Sequence, residues 1–208
     1  MWATRLTAAV VILMPDGKRT RLLCGLAERM QGRFWYSMNG KALPLGDPAL
    51  VAFETYAYWL AKRCAAGRKV AGRGYPKLAA PPQKADFTRG TQVYAQHCAL
   101  CHGADGQGQS TNGKTVFPPL WGEHSFNWGA GMHEIQNAAG FYQANTPFAL
   151  GDTLTDQRAW DVATFMDSHE RPLDPLFAGS VEATRAKNHD SPSSMYGKAV
   201  NGHVLGSP

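Results

Sequence analysis

Long apolar runs are absent from this chain. No stretch of its 208 residues approaches the ~18 consecutive apolar positions of a membrane helix, so nothing in it reads as a transmembrane segment. Charge is sparse, at 18% of residues, and the formal balance is only +5. No basic stripe interleaved with aromatics appears, which speaks against nucleic acid as a partner. The simplest reading of the balance is a solvated surface with a basic bias; the functional one is steering toward an acidic partner or small anion. No βαβ alternation is visible. Cysteine is limited to four residues, Cys24, Cys64, Cys98 and Cys101. Apolar content of 44% is that of a soluble globular protein, and the length suits one medium domain or two small ones.

Two readings of the N-terminus stay open. Arg5 followed by Leu6 to Met14 resembles the charge and apolar core of a signal peptide, although no small-residue cleavage site follows. The same residues also read as a hairpin, Ala9 to Met14 and Thr20 to Leu23, turning at Pro15-Asp16-Gly17.

Further along, the pattern is helical. Leu22, Leu23, Leu26, Met30 and Phe34 make one stripe, ended by a turn at Asn39-Gly40. Asp47 can cap the next helix with Pro48 at its first position. Leu50, Phe53, Ala57, Leu60, Ala61 and Cys64 share one side of that helix, and Gly67 stops it. Residues 71–84, rich in Gly, Pro and Lys, form the predicted linker. A second block, residues 85–172, opens with a helix over Asp86 to Cys98. A Gly-, Pro- and Asn-rich loop from Gly103 to Trp128 follows, then helices over His133 to Gln143 and Asp156 to His169, the last capped by Thr155. Residues 173–208 are a polar tail that composition alone reads as disordered. Tyr196, Val200, Val204 and Leu205 suggest that part of it packs on the body.

Chemistry concentrates at Cys98-Ala99-Leu100-Cys101-His102. Two thiols three positions apart on one helical turn can bond the vinyl-derived carbons of a haem. The adjacent His then supplies an axial nitrogen to iron. A zinc site would need a second ligand pair of suitable spacing, and none exists. A thioredoxin-like pair would sit near a βαβ pattern, which is missing. The motif therefore implies one covalent haem c on Cys98 and Cys101, with His102 as axial ligand. Cys24 and Cys64 are then either a disulfide or, as apolar residues in helical patterns, two buried thiols.

The surroundings agree with this reading. Gly90 and Tyr94 lie four apart on the helix leading into the motif, so another helix can approach at the glycine while the aromatic fills the gap. Trp160 and Phe165 are the expected partners. This is the crossing of first and last helices seen in the cytochrome c fold, and the predicted class is mostly α. His102 needs a partner for its other ring nitrogen, and a carbonyl within Phe117-Pro118-Pro119-Leu120 could supply it. Trp121 and Phe126 are either haem-edge packers or core.

A longer set of segments carries a family resemblance. Gly72-Arg73-Gly74-Tyr75-Pro76-Lys77-Leu78, Val93-Tyr94-Ala95, Gly106-Gln107-Gly108-Gln109, Phe117 to Gly122, Gly129-Ala130-Gly131-Met132 and Leu154 to Ala163 resemble, in this order, the thiosulfate dehydrogenase family of dihaem cytochromes c. Ser37 to Pro44 resembles the end of that family's first haem domain. The resemblance implies two thiosulfates coupled to tetrathionate, or the reverse, at a first haem ligated by His and Cys. A second haem, ligated by His and Met or a neighbouring Lys, passes electrons out.

The chain departs from that pattern in three places. No Cys-x-x-Cys-His precedes Ser37. Arg33, Phe34, Trp35 and Tyr36 stand where the family's Cys ligand should lie. The family's Asn-Met-Pro reads Asn145-Thr146-Pro147, putting Thr146 at the distal position of the retained haem. Met132 is the nearest alternative as second axial ligand, against the plainer reading of a loop residue packing on haem or core. His124 and His133 are expected to be surface or loop histidines.

The expectation is a truncated or degraded relative: residues 1–70 a haem-less remnant of a first cytochrome c-like domain, residues 85–172 a single-haem electron carrier. Its partner would be another redox protein, such as a cytochrome, and its compartment the periplasm. The alternatives are an oxidoreductase acting on thiosulfate or tetrathionate, and a haem sensor of small ligands.

Overall fold

The computed structural model describes residues 25–62, 76–147 and 150–208. Both readings of the N-terminus, and the question of Cys24 and Cys64, lie outside them.

The chain is mostly helical. Helix α1, Leu26–Gly32, runs into a π-helical turn, Arg33–Ser37, and α2 spans Pro48–Ala61. Then come α3, Phe87–His97, and the single turn α4, Ala99–His102. A hairpin of β1, Gln109–Thr111, and β2, Lys114–Phe117, follows. A 3₁₀ turn at Gly131–His133 leads to α5, Ile135–Asn145, and α6 covers Asp156–Asp167. The tail adds α7, Val181–Asn188, and a small hairpin of β3, Ala199–Val200, and β4, His203–Val204.

The core forms where α3 crosses α6. Both helices begin on the residues their sequences supply: Asp86 accepts from the Arg89 amide and Thr155 from the Arg158 amide, each satisfying a donor the first turn leaves free. A Cβ at Gly90 would lie 2.1 Å from the Asp161 carbonyl oxygen, so only glycine lets the axes approach this closely. Val93 and Tyr94 of α3 pack there on Ala159, Val162, Ala163, Phe165 and Met166 of α6, and α5 closes the cluster with Ala138, Ala139 and Tyr142. Phe165 meets Tyr94 at 5.2 Å as expected, and Trp160, partly buried against the same cluster, also donates its indole N–H to the Ala79 carbonyl. Beside the crossing, Arg89 grips the buried Asp161 carboxylate with two hydrogen bonds of 2.8 Å.

Several elements differ from expectation. On α2, Asp47 caps the helix as predicted, yet among the described residues of the anticipated face only Leu50 and Ala57 are buried. Phe53 is half exposed and tilts against Phe34, and Tyr56, Tyr58 and Trp59 are also exposed. The long loop after His102 contains the β1–β2 hairpin. Its turn is Asn112-Gly113, both at positive φ (52° and 72°), the backbone that a two-residue hairpin needs. Asn127 ties the π-helical turn to the second block: its backbone N–H donates to Tyr36 and its side-chain amide to the Trp35 carbonyl.

The tail is ordered. Tyr196 and Leu205 are buried, while Val204 is exposed. Tyr196 stacks on His189 at 4.1 Å and meets the Trp128 edge at 5.4 Å. Behind it runs a buried polar chain, in which the Asp174 carboxylate faces His189 Nε2 at 2.8 Å and His189 Nδ1 faces His133 Nε2 at 3.0 Å. His133 Nδ1 donates to the Ala130 carbonyl at 2.6 Å. Polar residues that composition reads as solvated are here paired with one another inside the fold.

Candidate haem-attachment site

Helix α3 delivers the chain to Cys98, which ends it and opens α4; the Cys101 and His102 amides both donate to the Cys98 carbonyl. This places Cys98 and Cys101 on one turn. Both thiols are partly buried and neither is in a disulfide. Burial, with Cys101 nearby, pushes the Cys98 thiol up to about 12, so an uncharged sulfur suits its surroundings.

His102 Nδ1 lies 2.8 Å from the Pro118 carbonyl oxygen. A carbonyl can only accept, so Nδ1 carries a proton, and in the neutral ring this leaves the lone pair on Nε2. Among the described residues Nε2 makes no hydrogen bond. The anticipated carbonyl within residues 117–120 is thus Pro118, and Phe117 adds an edge-on ring 6.0 Å from the imidazole.

Backbone hydrogen bonds fix this arrangement. The Gly108 amide donates to the His102 carbonyl at 2.8 Å, and Tyr94 Oη donates to the Gly103 carbonyl at 2.7 Å. Gln109 Nε2 reaches the Leu100 carbonyl at 2.7 Å, tying β1 to α4. Gly108 has φ +74°, and a Cβ there would lie 2.2 Å from the Phe117 carbonyl oxygen. The close approach of that glycine to Phe117 and Pro118 sets the height of the carbonyl that holds the imidazole.

The residues present fit a haem. Two unpaired thiols share a helical turn, and the imidazole offers iron a lone pair in a fixed tautomer. Leu120, Met132 and Phe141 pack against the core as partly open apolar side chains. Among the described residues no group of three or more His, Cys, Asp or Glu could hold a metal ion, and no helix is long and apolar enough to cross a membrane.

The remaining candidates separate clearly. Met132 lies in the 3₁₀ turn, partly buried on the core. The Thr146 hydroxyl donates to the Tyr142 carbonyl at 2.6 Å, at the end of α5. His124 is exposed. His133 departs from the expected surface or loop histidine by being buried in the Asp174–His189 chain. Trp121 is core, stacked on His169 at 4.2 Å, and Phe126 carries the Arg171 guanidinium over its ring at 4.1 Å.

Residues 85–166 match the family described as cytochrome c oxidase, cbb3-type, subunit III. The thiosulfate dehydrogenase of Thiomonas intermedia is 59% identical over 179 residues, covering 86% of this chain and 57% of that protein. The chain is a homologue of the thiosulfate dehydrogenases. The enzyme of that name from Stutzerimonas stutzeri is 48% identical, covering 86% of this chain and 59% of its own length. The solved thiosulfate dehydrogenase (TsdBA) of Marichromatium purpuratum superposes with a TM-score of 0.86 at 46% identity, covering 98% of this chain and 45% of that one. The chain therefore spans somewhat over half the length of these curated relatives. Its fold is cytochrome c-like, and this kinship implies a covalently bound haem c and a part in electron transfer.

Proposed function

We propose that the chain holds one haem c, with thioether bonds from Cys98 and Cys101 and His102 Nε2 as an axial ligand, and works as an electron relay. The observation that carries this is the His102–Pro118 hydrogen bond beside two unpaired thiols on the same turn. Bound there, the haem supplies reversible one-electron chemistry. The protein's own part is to clamp the imidazole through Pro118, to bury the sulfur atoms, and to keep Leu100 and the hairpin at the exposed rim. Among the described residues the distal side has no strong ligand in this reading. Thr146 offers a neutral oxygen whose proton is already given to Tyr142, and Met132 packs on the core.

In this proposal residues 1–70 belong to a first cytochrome c-like unit and carry no haem-attachment motif of their own, and the protein acts in the periplasm, since haem c is attached outside the cytoplasm. Its electron donor or acceptor is another redox protein. A second reading, sulfur oxyanion chemistry on thiosulfate or tetrathionate, is favoured by the 59% identity to a thiosulfate dehydrogenase. Within these 208 residues the one Cys-x-x-Cys-His, Cys98 to His102, is the attachment site that the relay reading needs. A pyridine haemochrome assay with mass spectrometry of holoprotein is expected to give one covalent haem, lost in Cys98→Ala/Cys101→Ala. Two haems, or thiosulfate turnover above roughly 1 per second, would support the enzyme reading instead.

A further inference from the structure

We propose that residues 189–195 of the C-terminal tail are a strap that caps α5 from outside the helix and so positions the apolar wall, Met132 and Phe141, offered to the haem. Ser193 is its positioning residue. The haem part of this inference rests on the attachment reading above; the capping part does not. The first turn of a helix leaves its amides without partners inside the helix, and the side chain just before it ordinarily takes one of them. In α5 that residue is Glu134, and its side chain does not cap. Its carboxylate is turned elsewhere, accepting from the Ser191 hydroxyl at 2.7 Å and facing His133 Nε2 at 3.3 Å. Ser193 takes over from far along the chain. Its carbonyl accepts from the Ile135 amide at 3.0 Å, and its hydroxyl oxygen from the Gln136 amide, 57 residues away, at 2.8 Å. The strap is itself well held. The Ser193 amide donates to the Ser191 hydroxyl oxygen at 3.2 Å, Ser194 forms an antiparallel bridge with Glu134, and His189 Nδ1 meets His133 Nε2 at 3.0 Å. Ser194 is fully buried, and Met195 packs on the α3–α6 cluster and on the cluster of Trp128, Tyr196 and Leu205.

The consequence falls on the part of α5 that the core leaves open. Ala138, Ala139 and Tyr142 are buried in the cluster with α6, which fixes the inner face of the helix. Phe141, and Met132 in the turn before the helix, pack on that cluster but stay partly open. Gly140 lies so close to the Pro76 carbonyl that no Cβ fits, which fixes the second half of the helix. The first turn, and the Met132 turn joined to it, are anchored by the strap. A wall loose at that end would admit water to the haem. Ferric haem carries one more positive charge than ferrous haem, so water stabilises the ferric form and lowers the potential. A cap supplied by the tail is therefore read at the iron.

The test compares holoprotein variants by amide hydrogen exchange and by potentiometric titration of the haem. Ser193→Ala should speed exchange in the first turn of α5 roughly fivefold, the worth of one cap, and should lower the reduction potential. Ser193→Thr keeps the hydroxyl and should match wild type in both readouts. Ser180→Ala removes a serine cap of the same kind from α7, where Ser180 accepts from the Ala183 amide at 3.1 Å. It should leave α5 exchange and the potential at their wild-type values. Unchanged α5 exchange in Ser193→Ala would show that the strap is not the cap. Faster exchange with an unchanged potential would show that the cap does not position the wall. Equal shifts from Ser180→Ala would assign the effect to tail stability at large. Each of these results overturns the proposal. A protein that carries no haem would defeat the attachment reading and the wall with it, while its α5 exchange would still decide the capping role of Ser193.

Discussion

Replacing Gly108 by alanine tests how tightly the loop holds His102. At φ +74° the backbone is in the left-handed region, where a Cβ costs about 1–2 kcal/mol. The new methyl would also lie 2.2 Å from the Phe117 carbonyl oxygen, 2.7 Å from the Pro118 carbonyl carbon and 2.9 Å from the Pro119 nitrogen. All three are backbone atoms, so no side chain can swing away, and overpacking adds about 1–3 kcal/mol. The Pro118 carbonyl must retreat, and losing its bond to His102 adds about 1 kcal/mol. Restricting the unfolded chain returns about 0.4–1 kcal/mol. The net is a destabilisation of about 4 kcal/mol, which at a urea m-value of about 2 kcal/mol/M lowers the midpoint by about 2 M. Gly113→Ala is the control: its φ is +72°, but nothing lies within 4 Å of the new carbon, so only the backbone cost applies. Urea unfolding of both variants isolates the steric part. A second readout follows from chemistry: a carbonyl on Nδ1 raises the basicity of the ligand nitrogen, which favours ferric iron. Gly108→Ala should therefore raise the reduction potential, and Gly113→Ala should not. If Gly108→Ala unfolds at the same urea concentration as Gly113→Ala with an unchanged potential, the loop does not hold the imidazole in the way described.

Gly90→Ala should cost about 2 kcal/mol in the same assay, because overpacking at the upper end of about 1–3 kcal/mol outweighs about 1 kcal/mol of helix propensity; a stabilised variant would mean that the α3–α6 crossing is looser than the 2.1 Å contact implies. Burial raises the Asp161 pKa, but the Arg89 guanidinium, the Asp86 amide and Gln157 together bring it below the usual carboxylate value. The folded pKa is thus below the unfolded one of about 3.9, so the contribution is complete above that pH and is lost as pH falls through the folded value. Asp161→Asn should be less stable than wild type at pH 7, and the difference should shrink in acid; a constant difference from pH 7 down to 2 would contradict this account. Thr146→Met should create a sulfur-to-iron absorption band near the red edge of the ferric spectrum and raise the potential, since a thioether favours ferrous iron. A band already present in wild type and abolished by Met132→Leu would make Met132 the distal ligand.

What was legible in the sequence is what local chemistry decides. Asp86 and Thr155 announce the starts of α3 and α6 because a capping side chain bonds amides only two or three residues away. The Pro118 carbonyl was reachable too, since a ligating imidazole requires an acceptor and the two prolines narrow where it can lie. The Asn112-Gly113 turn carried an equally local signal, and its dipeptide marks the hairpin inside what composition reads as a bare loop.

The tail was opaque for a different reason. Composition counts Asp174, His189 and Ser194 as solvated, and each is buried. Burial is tolerable only because partners arrive from distant parts of the chain: His133 is 56 residues from His189 and joins it through a single ring-to-ring hydrogen bond. Periodicity fails at α2 for the converse reason. An apolar stripe shows which side of a helix could be buried, but burial needs an opposing surface. Phe34 gives Phe53 a neighbour without enclosing it, leaving Phe53, Tyr56 and Trp59 open to solvent. Patterns within a segment fix its local conformation; whether a polar residue can be dry or an apolar one wet is decided by residues that the segment does not contain.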